Sequence, residues 1–250
     1  MPEHKLSHKK YLHLASLDEK RLTSAFSNRL FQNMSLYYGH TRKSLINRRH
    51  FLSCLGINHK DLVCARQAHG SRIKYVNEAE RGKGALAHHT SIRNTDALVT
   101  DMKNLPLAIF TADCLSIFLY DPKSPAIAVI HAGWKGTYRK IAFKAVQFMR
   151  KRFNTHAPDL RASFGPAIRG CCYEVGREFA RYFRGNLEER NGRLYLDLPK
   201  ANKKQLMDAG VKEANIFDGR VCTSCNNSEF FSFRKEGKSC GRIMSVMMLK

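Results

Sequence analysis

The chain has no long apolar run and no apolar leader. Its most hydrophobic stretch, Leu105 to Tyr120, is interrupted by Asp113 and falls short of the roughly 18 consecutive apolar residues that indicate a membrane span. The first twenty residues are polar, so they lack the hydrophobic segment of a secretory signal. The sequence therefore predicts a soluble, cytoplasmic protein with no membrane segment.

The cysteines do not form the pattern of a secreted disulfide framework. Eight cysteines in 250 residues are too sparse for the small folds that several bridges hold together. Cys222 and Cys225 have the spacing of half a zinc knuckle or of a redox pair, but Cys171 and Cys172 are adjacent and supply no second spaced pair. The sequence alone therefore does not predict a second metal site.

Acidic side chains are scarce relative to basic ones. Lys and Arg number 43 and Asp and Glu 21, which gives a formal net charge of +22. A charge of this size makes nucleic acid a partner to consider, because clustered cations release counterions from phosphate backbones. Residues 91–135, however, contain four basic and four acidic residues, and no basic run is interleaved with stacking aromatics. We expect a basic, solvated periphery and no specific nucleic acid partner.

No internal repeat, low-complexity stretch or Pro/Gly/Ser linker divides the chain. A length of 250 residues with 43% hydrophobic content suffices for one large core. We expect a single catalytic domain over residues 26–250, preceded by a flexible basic arm over residues 1–25.

Short apolar runs and helical patterns share the chain. Apolar residues recur every four positions from Ile141 to Phe153, so a helix is predicted directly after His131-Ala-Gly-Trp134. The fold class is therefore α/β or mixed α+β. Strands are predicted at 62–66, 72–76, 96–100, 105–110, 114–120 and 126–130, further helices at 44–56, around 179–187 and at 201–209, and strand-like structure between 230 and 249.

Three segments place a metal-binding side chain beside small residues at the end of a predicted strand. They are Arg-Gln-Ala-His-Gly at 66–70, Thr-Ala-Asp-Cys at 111–114 and His-Ala-Gly-Trp-Lys-Gly at 131–136. Small residues let backbone or substrate approach a ligand, and strand ends hold its direction rigidly. A single Cys or His in such a position is more often part of a packed core. The combination of the three segments is what indicates chemistry.

Together with other segments, in order along the chain, these three resemble the YfiH-like, laccase-domain family. The resemblance runs from about Asn47 to the C-terminus. It implies a mixed α/β sandwich, with sheet layers flanked by helices, and a zinc ion held by His69, Cys114 and His131. The additional matching segments are Thr-Asp-Ala-Leu-Val-Thr at 95–100, Gly-Pro-Ala-Ile at 165–168, Cys-Cys-Tyr-Glu-Val-Gly at 171–176, Cys-Thr at 222–223 and Phe-Ser-Phe-Arg at 231–234.

The chemistry of these ligands agrees with the mapping. Zinc accepts imidazole and thiolate, and three protein ligands leave the fourth tetrahedral position open, as in catalytic sites. Zinc lowers the pKa of a bound water to about 7, so hydroxide would be available at neutral pH to attack an electron-poor carbon. The resemblance implies deamination of adenosine and phosphorolysis of adenosine, inosine or methylthioadenosine to base and a sugar 1-phosphate. The partners it implies are a purine nucleoside and phosphate.

The same resemblance assigns further site residues. Arg48, in the pair Asn47-Arg48, is the candidate catalytic phosphate clamp and Arg49 its competitor, because arginine can hold an oxyanion with two donors. Asp113 either orients a ligand or acts as acid or base, and a turn-capping carboxylate is the structural alternative. Further contacts to the substrate are expected from Gln67, Arg234 and Arg242.

Two other kinds of function remain compatible with these residues. Cys114 could be a nucleophile with His131 as its base, which would give a cysteine hydrolase that needs no metal. A cell-wall-editing or nucleic-acid-binding factor is the alternative from another class. The sequence has no His-x-His pair, so a multicopper oxidase is not expected.

Overall fold

Strands in two large sheets and one small sheet dominate the computed structural model, which describes residues 17–18 and 20–250. In chain order the strands are β1 Leu22–Phe26, β2 Val63–Arg66, β3 Ile73–Tyr75, β4 Ile92–Arg93, β5 Ala97–Thr100, β6 Leu107–Thr111, β7 Leu115–Asp121, β8 Ala126–Ala132, β9 Arg161–Phe164, β10 Glu174–Val175, β11 Leu187–Arg190, β12 Arg193–Leu196, β13 Ile216–Asp218 and β14 Ile243–Leu249. The α-helices are α1 Thr41–Ser53, α2 Trp134–Tyr138, α3 Ile141–Phe153, α4 Leu198–Asp208 and α5 Phe233–Glu236.

The order of strands in the sheets fixes where the chain changes layer. A five-stranded sheet has the order β1-β14-β6-β2-β4, and a six-stranded sheet has the order β13-β9-β7-β8-β5-β3. A small sheet has the order β10-β12-β11. Because β6 and β7 belong to different large sheets, the chain crosses between the layers at residues 112–114. This crossing carries Cys114.

The two large sheets pack face to face. Alternate residues of a strand point to opposite faces, and on β7 Phe118 and Tyr120 join a buried cluster with Leu107 and Ile109 of β6. Burying such side chains stabilises the fold by about 1.5–3 kcal/mol each, so this shared layer is the main contact between the sheets.

Helices cover the outer faces of the sandwich. The other face of β7, with Leu115, Ile117 and Leu119, packs in a second cluster with apolar residues of α3 and α4. On the opposite side, Phe51 and Leu52 of α1 pack against the five-stranded sheet. The layers are therefore helix, sheet, sheet, helix, which confirms the predicted mixed α/β sandwich with flanking helices.

Most predicted elements are present, with three corrections. The strand-like structure predicted between 230 and 249 is confirmed only at β14, because α5 and a 3₁₀ helix at Gly237–Ser239 precede it. The helix predicted after the His-Ala-Gly-Trp segment is two helices, because Lys140 between α2 and α3 takes a left-handed conformation (φ 60°, ψ 45°). The helix predicted around 179–187 is wrong. Residues Arg177–Arg181 form a 3₁₀ helix, Gly185 has φ of 76° and Leu187 begins β11, so the four-residue apolar spacing there reflects packing around a turn.

The N-terminal boundary also differs from the prediction. Residues 1–16 and 19, most of the predicted arm at 1–25, lie outside the described residues. Leu22–Phe26 nevertheless forms β1, which pairs antiparallel with β14 from Leu22 opposite Leu249 to Phe26 opposite Ser245. Residues 22–25 therefore belong to the five-stranded sheet and not to an arm.

Among the described residues, no helix is both long enough and apolar enough to cross a membrane.

Candidate metal centre and its pocket

Three side chains from different parts of the sandwich meet at one point. His69 lies in the loop that follows β2, Cys114 lies where the chain crosses from β6 to β7, and His131 lies on β8 opposite Ser116 of β7. Their ligand atoms all lie within 4.8 Å of one another, and the two imidazole rings meet edge to face with centroids 4.8 Å apart. The fold thus gathers the three residues predicted as metal ligands into one group that could hold a metal ion.

Gly133 shows how tightly this group is built. A Cβ at this position would lie 3.0 Å from Cys114 Sγ, 3.2 Å from His69 Cδ2 and 3.7 Å from His131 Nε2. The first two distances are closer than ordinary van der Waals contact, so a larger residue would push the ligands apart. The small residue in His-Ala-Gly-Trp is therefore required by the approach of the ligands.

Asp96 holds two of the three ligands in place. Its fully buried carboxylate lies 2.8 Å from His131 Nδ1 through Oδ1. The same carboxylate accepts the backbone N–H of His69 at 2.9 Å and that of Gly70 at 2.8 Å. A carboxylate on one ring nitrogen fixes the orientation of a histidine and leaves the other nitrogen for a metal. Asp96 is a site residue that the sequence analysis missed, although it heads the apolar strand in Thr-Asp-Ala-Leu-Val-Thr.

The electrostatics of the group favour a thiolate. Burial by itself would raise the pKa of Cys114, but the charge of His131 and hydrogen bonds from His131 and His69 lower that pKa to about 6. Burial would likewise lower the pKa of His131, whereas the nearby Cys114 and the hydrogen bond to Asp96 raise it to about 9. Without a metal, the pair is thus held as thiolate and imidazolium, and a cation with two or more charges can replace the proton.

A pocket of about 700 Å³ opens over the candidate metal centre and is lined by His69, Cys114 and His131. This volume lies within the range of small-molecule sites. Asp113, Arg48, Gln67, Arg234 and Arg242, the other predicted site residues, also line it. The structure therefore places every residue of the predicted site on one pocket.

Arg48 is a buried arginine with one side turned to the pocket. Its Nε donates to the carbonyl of Met34 at 2.7 Å, and its Nη1 donates to the carbonyls of Gly84 at 2.8 Å and Ala85 at 3.0 Å. The guanidinium stacks over the ring of Phe110 at 4.5 Å. Among the described residues no partner is recorded for Nη2, which remains for a ligand.

Arg49, the competitor of Arg48, is exposed and does not line the pocket. A different neighbour does: Arg66, at the end of β2, lines the pocket together with His88. Burial first, and then the charges of Arg66 and Arg48, lower the pKa of His88. Arg48 and Arg66 therefore converge on one positive corner, and Arg66 is a second residue that the sequence analysis missed.

Gln67 and Asp113 are both engaged by the protein. The amide of Gln67 donates to the carbonyl of Phe110 at 2.8 Å and accepts its N–H at 2.8 Å, so it links β2 to β6. The Asp113 carboxylate accepts from Thr223 Oγ1 at 2.6 Å and from the backbone N–H of Arg234 at 2.7 Å. Asp113 itself has φ of 83°. This arrangement favours the turn-capping role of Asp113 that was the alternative to acid or base catalysis.

Arg234 and Arg242 form the wall contributed by the C-terminal part of the chain. Arg234 Nη2 donates to the carbonyl of Glu174 at 2.9 Å. The guanidinium of Arg242 lies 4.0 Å from the ring centre of Tyr38, and Tyr37 and Tyr38 line the pocket as exposed aromatic residues. These tyrosines were also missed, because they lie before the part of the chain in which the family resemblance begins.

The chain is similar to known proteins over most of its length. The family model described as multi-copper polyphenol oxidoreductase laccase matches residues 23–250. The chain belongs to this family. It is 34% identical to the purine nucleoside phosphorylase YlmD of Geobacillus stearothermophilus over 225 residues, which cover 86% of this chain and 82% of the relative. It is also 34% identical to the adenosine deaminase RL5 of an unknown prokaryotic organism, over 87% of both chains.

The fold of the family is shared as well. The crystal structure of YlmD from Geobacillus stearothermophilus superposes with a TM-score of 0.92 and 28% identity, covering 98% of this chain and 97% of that one. The group at the pocket offers three donors, His69, Cys114 and His131, whereas the family's description names several coppers. Such a group holds one ion and not a cluster of coppers.

Proposed function

We propose that this chain is a zinc-dependent purine nucleoside enzyme that deaminates adenosine and cleaves purine nucleosides with phosphate. The observation that carries the proposal is the three-ligand group at the floor of a nucleoside-sized pocket. Relatives that match most of the chain at 34% identity are named purine nucleoside phosphorylase and adenosine deaminase. Methylthioadenosine is a further candidate substrate.

The donor set fits zinc. Two imidazoles and one thiolate match its preferred ligands, and three protein ligands leave one position open toward the pocket. Zinc bound there would act as a Lewis acid and lower the pKa of a water ligand to about 7. Asp96 contributes by keeping the proton of His131 on Nδ1, so that Nε2 faces the metal. Gly133 contributes by leaving room for the close approach of all three ligands.

Phosphate would bind in the positive corner formed by Arg48 and Arg66. Arg48 is already fixed by three backbone carbonyls, so little side-chain entropy is lost when its free Nη2 contacts an anion. His88, whose pKa is lowered mainly by burial and also by both arginines, remains neutral near pH 7 and can donate one hydrogen bond without adding charge.

The purine would lie along the aromatic side of the pocket. Tyr37 and Tyr38 are exposed by 63% and 41% although they border the pocket, and aromatic faces of this kind stack on bases. Trp134, which also lines the pocket, packs against Phe179 with ring centroids 5.0 Å apart. Arg242 and Arg234 complete the wall between these aromatics and the metal centre.

The experiment that tests the proposal combines turnover with metal analysis. Adenosine with phosphate should yield ammonia, free base and ribose 1-phosphate. Cys114→Ala and His69→Ala should each lose this activity together with the zinc of the pocket, whereas Cys54→Ala, which changes an exposed cysteine, should lose neither. The enzyme assignment is wrong if the zinc-loaded wild-type protein produces none of these products.

Thiol catalysis is the second candidate, and one observation favours it. Cys114, His131 and Asp96 are linked in that order as a thiolate, an imidazole and an orienting carboxylate, which is the arrangement of a cysteine nucleophile with its base. The second imidazole, His69, is what favours a metal. Retention of all zinc in Cys114→Ala with complete loss of activity would support the hydrolase instead.

The domain boundary and the cellular compartment belong to the same proposal. We place the catalytic domain in residues 22–250, because β1 belongs to the sheet. All eight cysteines are free, which fits a reducing, cytoplasmic compartment.

A further inference from the structure

Four cysteines outside the pocket converge from two distant parts of the chain. Cys171 and Cys172 lie before β10, and Cys222 and Cys225 lie after β13. All four sulfur atoms lie within 4.8 Å of one another. The group shares no residue with the metal centre, and none of its members lines the pocket. It is therefore a separate cluster of metal-binding side chains.

The backbone around the cluster explains why adjacent cysteines can take part. Ala167 forms a parallel bridge with Cys222: its N–H donates to the carbonyl of Val221 at 3.2 Å, and its carbonyl accepts the N–H of Thr223 at 3.1 Å. A turn follows, in which Cys172 N–H donates to the carbonyl of Arg169 at 2.8 Å. The spaced pair and the adjacent pair are thus brought together by a fixed backbone contact that the sequence does not reveal.

The distances between sulfur atoms suit a metal ion. Cys171 and Cys172 have their sulfur atoms 3.6 Å and 3.3 Å from that of Cys225. Four sulfurs placed tetrahedrally at about 2.3 Å from zinc are roughly 3.8 Å apart, whereas a disulfide requires about 2.05 Å. Tetrahedral sites made of four thiolates are typical of zinc or of iron. A redox-inert ion suits a cluster that does not border the substrate pocket.

We propose that Cys171, Cys172, Cys222 and Cys225 bind one zinc ion in a closed structural site. Each cysteine would bind as thiolate, and the thiol protons would pass to solvent when the ion enters. Four protein ligands leave no open position, so this ion would take no part in turnover. Cys171 and Cys225 are exposed, which gives the ion a route from solvent.

The site would stabilise one wall of the pocket. The segment before β10 carries Ile168 and Tyr173, which both line the pocket. The segment after β13 carries Thr223, whose hydroxyl holds Asp113 beside Cys114. A zinc ion that joins the two segments would therefore fix the surroundings of the metal centre without touching the substrate.

Zinc content of the purified full-length protein tests this site. Wild type and Cys54→Ser should each carry two zinc ions per chain, Cys222→Ser/Cys225→Ser one, and His131→Ala one. The last variant removes only the pocket metal, so failure of the proposed catalytic metal and failure of the structural site give different results. The inference is overturned if the double variant keeps as much zinc as wild type, or if the second ion is iron.

A second measurement avoids the case in which the double variant does not fold. In the His131→Ala protein loaded with cobalt, a four-thiolate site should give intense sulfur-to-cobalt charge-transfer absorption, and its absence overturns the inference. Thiols are then counted in wild-type protein unfolded with a chelator and no reductant. Eight reactive thiols are expected; six, which indicate a disulfide in the cluster, would also refute the zinc site.

Discussion

At the scale of single residues, Asp96 positions two of the three candidate metal ligands. One carboxylate orients His131 and also fixes the loop of His69 through two backbone N–H groups. Burial acts to raise the pKa of Asp96, but the hydrogen bond and charge of His131 and the backbone N–H groups of Gly70 and Ala68 lower it. A buried carboxylate that stays ionised and is fully hydrogen bonded gives both ligands a fixed direction before any metal arrives.

Asp96→Asn should therefore weaken metal binding without removing a ligand. The amide has a single oxygen to accept hydrogen bonds, and its NH2 group would favour the wrong tautomer of His131, so zinc affinity should fall about 10–100-fold. Competition with a chelator measures this change. Asp101→Asn, at the other, exposed end of β5, is the matched control and should keep wild-type affinity. If Asp96→Asn binds zinc as tightly as Asp101→Asn does, Asp96 does not position the ligands.

Arg48 combines a structural and a binding role, which determines how it must be tested. Arg48→Ala leaves three buried carbonyls without their donor and should destabilise the fold by about 2 kcal/mol or more. Arg66→Ala changes an exposed residue and should leave stability unchanged while raising the KM for phosphate. Urea unfolding measures the loss of stability in each variant, and the KM for phosphate measures the loss of anion binding.

Arg49→Ala is the control for Arg48, because Arg49 is its exposed neighbour and does not line the pocket. It should match wild type in both measurements. If Arg49→Ala raises the KM for phosphate and Arg66→Ala does not, the anion does not bind in the corner proposed here.

At the scale of elements, an ion pair joins the segment after β1 to α5. Arg29, just after β1, forms an ion pair with Glu236 of α5 at 2.6 Å. Glu236 also accepts from the backbone N–H of Ser232 at 2.9 Å and from Asn227 at 2.8 Å. Burial acts to raise the pKa of Glu236, but these donors, Arg29 foremost, lower it to about 2.

The pair should make stability depend on pH in a defined window. Because the pKa of Glu236 is lower in the folded protein than the value of about 4.3 in an unfolded chain, its stabilisation is complete above that value. It is lost as the pH falls toward about 2. Glu236→Gln should lower the free energy of unfolding by about 1 kcal/mol at pH 7, a value reduced for partial exposure, and the difference should shrink below pH 4.

Urea unfolding at pH 7 and at pH 3 measures this effect. The matched control is Glu229→Gln, an exposed glutamate whose side chain has no recorded partner among the described residues, and it should show neither change. A constant difference between Glu236→Gln and wild type over this range would contradict the role of the carboxylate charge.

The central strands were predictable because a strand that is buried on both faces consists mostly of apolar residues. β7 and β8 are buried along their whole length, so they read as continuous apolar runs. The partner of a residue across a sheet leaves no such pattern in the sequence. Asp96 reaches His131 only because Ala97 pairs with Ile130, a register that no local pattern specifies. The same reason hid the four-cysteine cluster, which depends on the bridge between Ala167 and Cys222.

The helix wrongly predicted around 179–187 shows that a local apolar pattern can also arise from tertiary contacts. Phe179 and Phe183 have helical spacing, but they pack with Trp134 and Leu198 in a small cluster beside the three-stranded sheet. Tertiary contacts to Trp134 explain the apolar residues there, and Gly185 with its positive φ turns the chain into β11. Periodicity over two turns is too short to distinguish these cases.

At the scale of the whole molecule, the excess positive charge is distributed unevenly along the chain. The net charge is +22, yet residues 91–135, which supply Asp96 and two of the three candidate metal ligands, carry equal numbers of basic and acidic residues. The arginines of the pocket would act at short range on the phosphate that we propose binds there. Among the described residues, the exposed cations outside the pocket are screened by salt over a Debye length of about 8 Å at physiological ionic strength.

This distribution predicts two different responses to salt in one preparation. Retention of DNA or RNA should be weak and should vanish near physiological salt, because each phosphate contact releases roughly one counterion. Nucleoside turnover should change less over the same titration, because the proposed contacts to substrate act within a Debye length. Nucleic acid binding that persists at high salt, together with no release of ammonia or free base from adenosine and phosphate, would instead identify a nucleic-acid-binding protein that uses this fold without turnover.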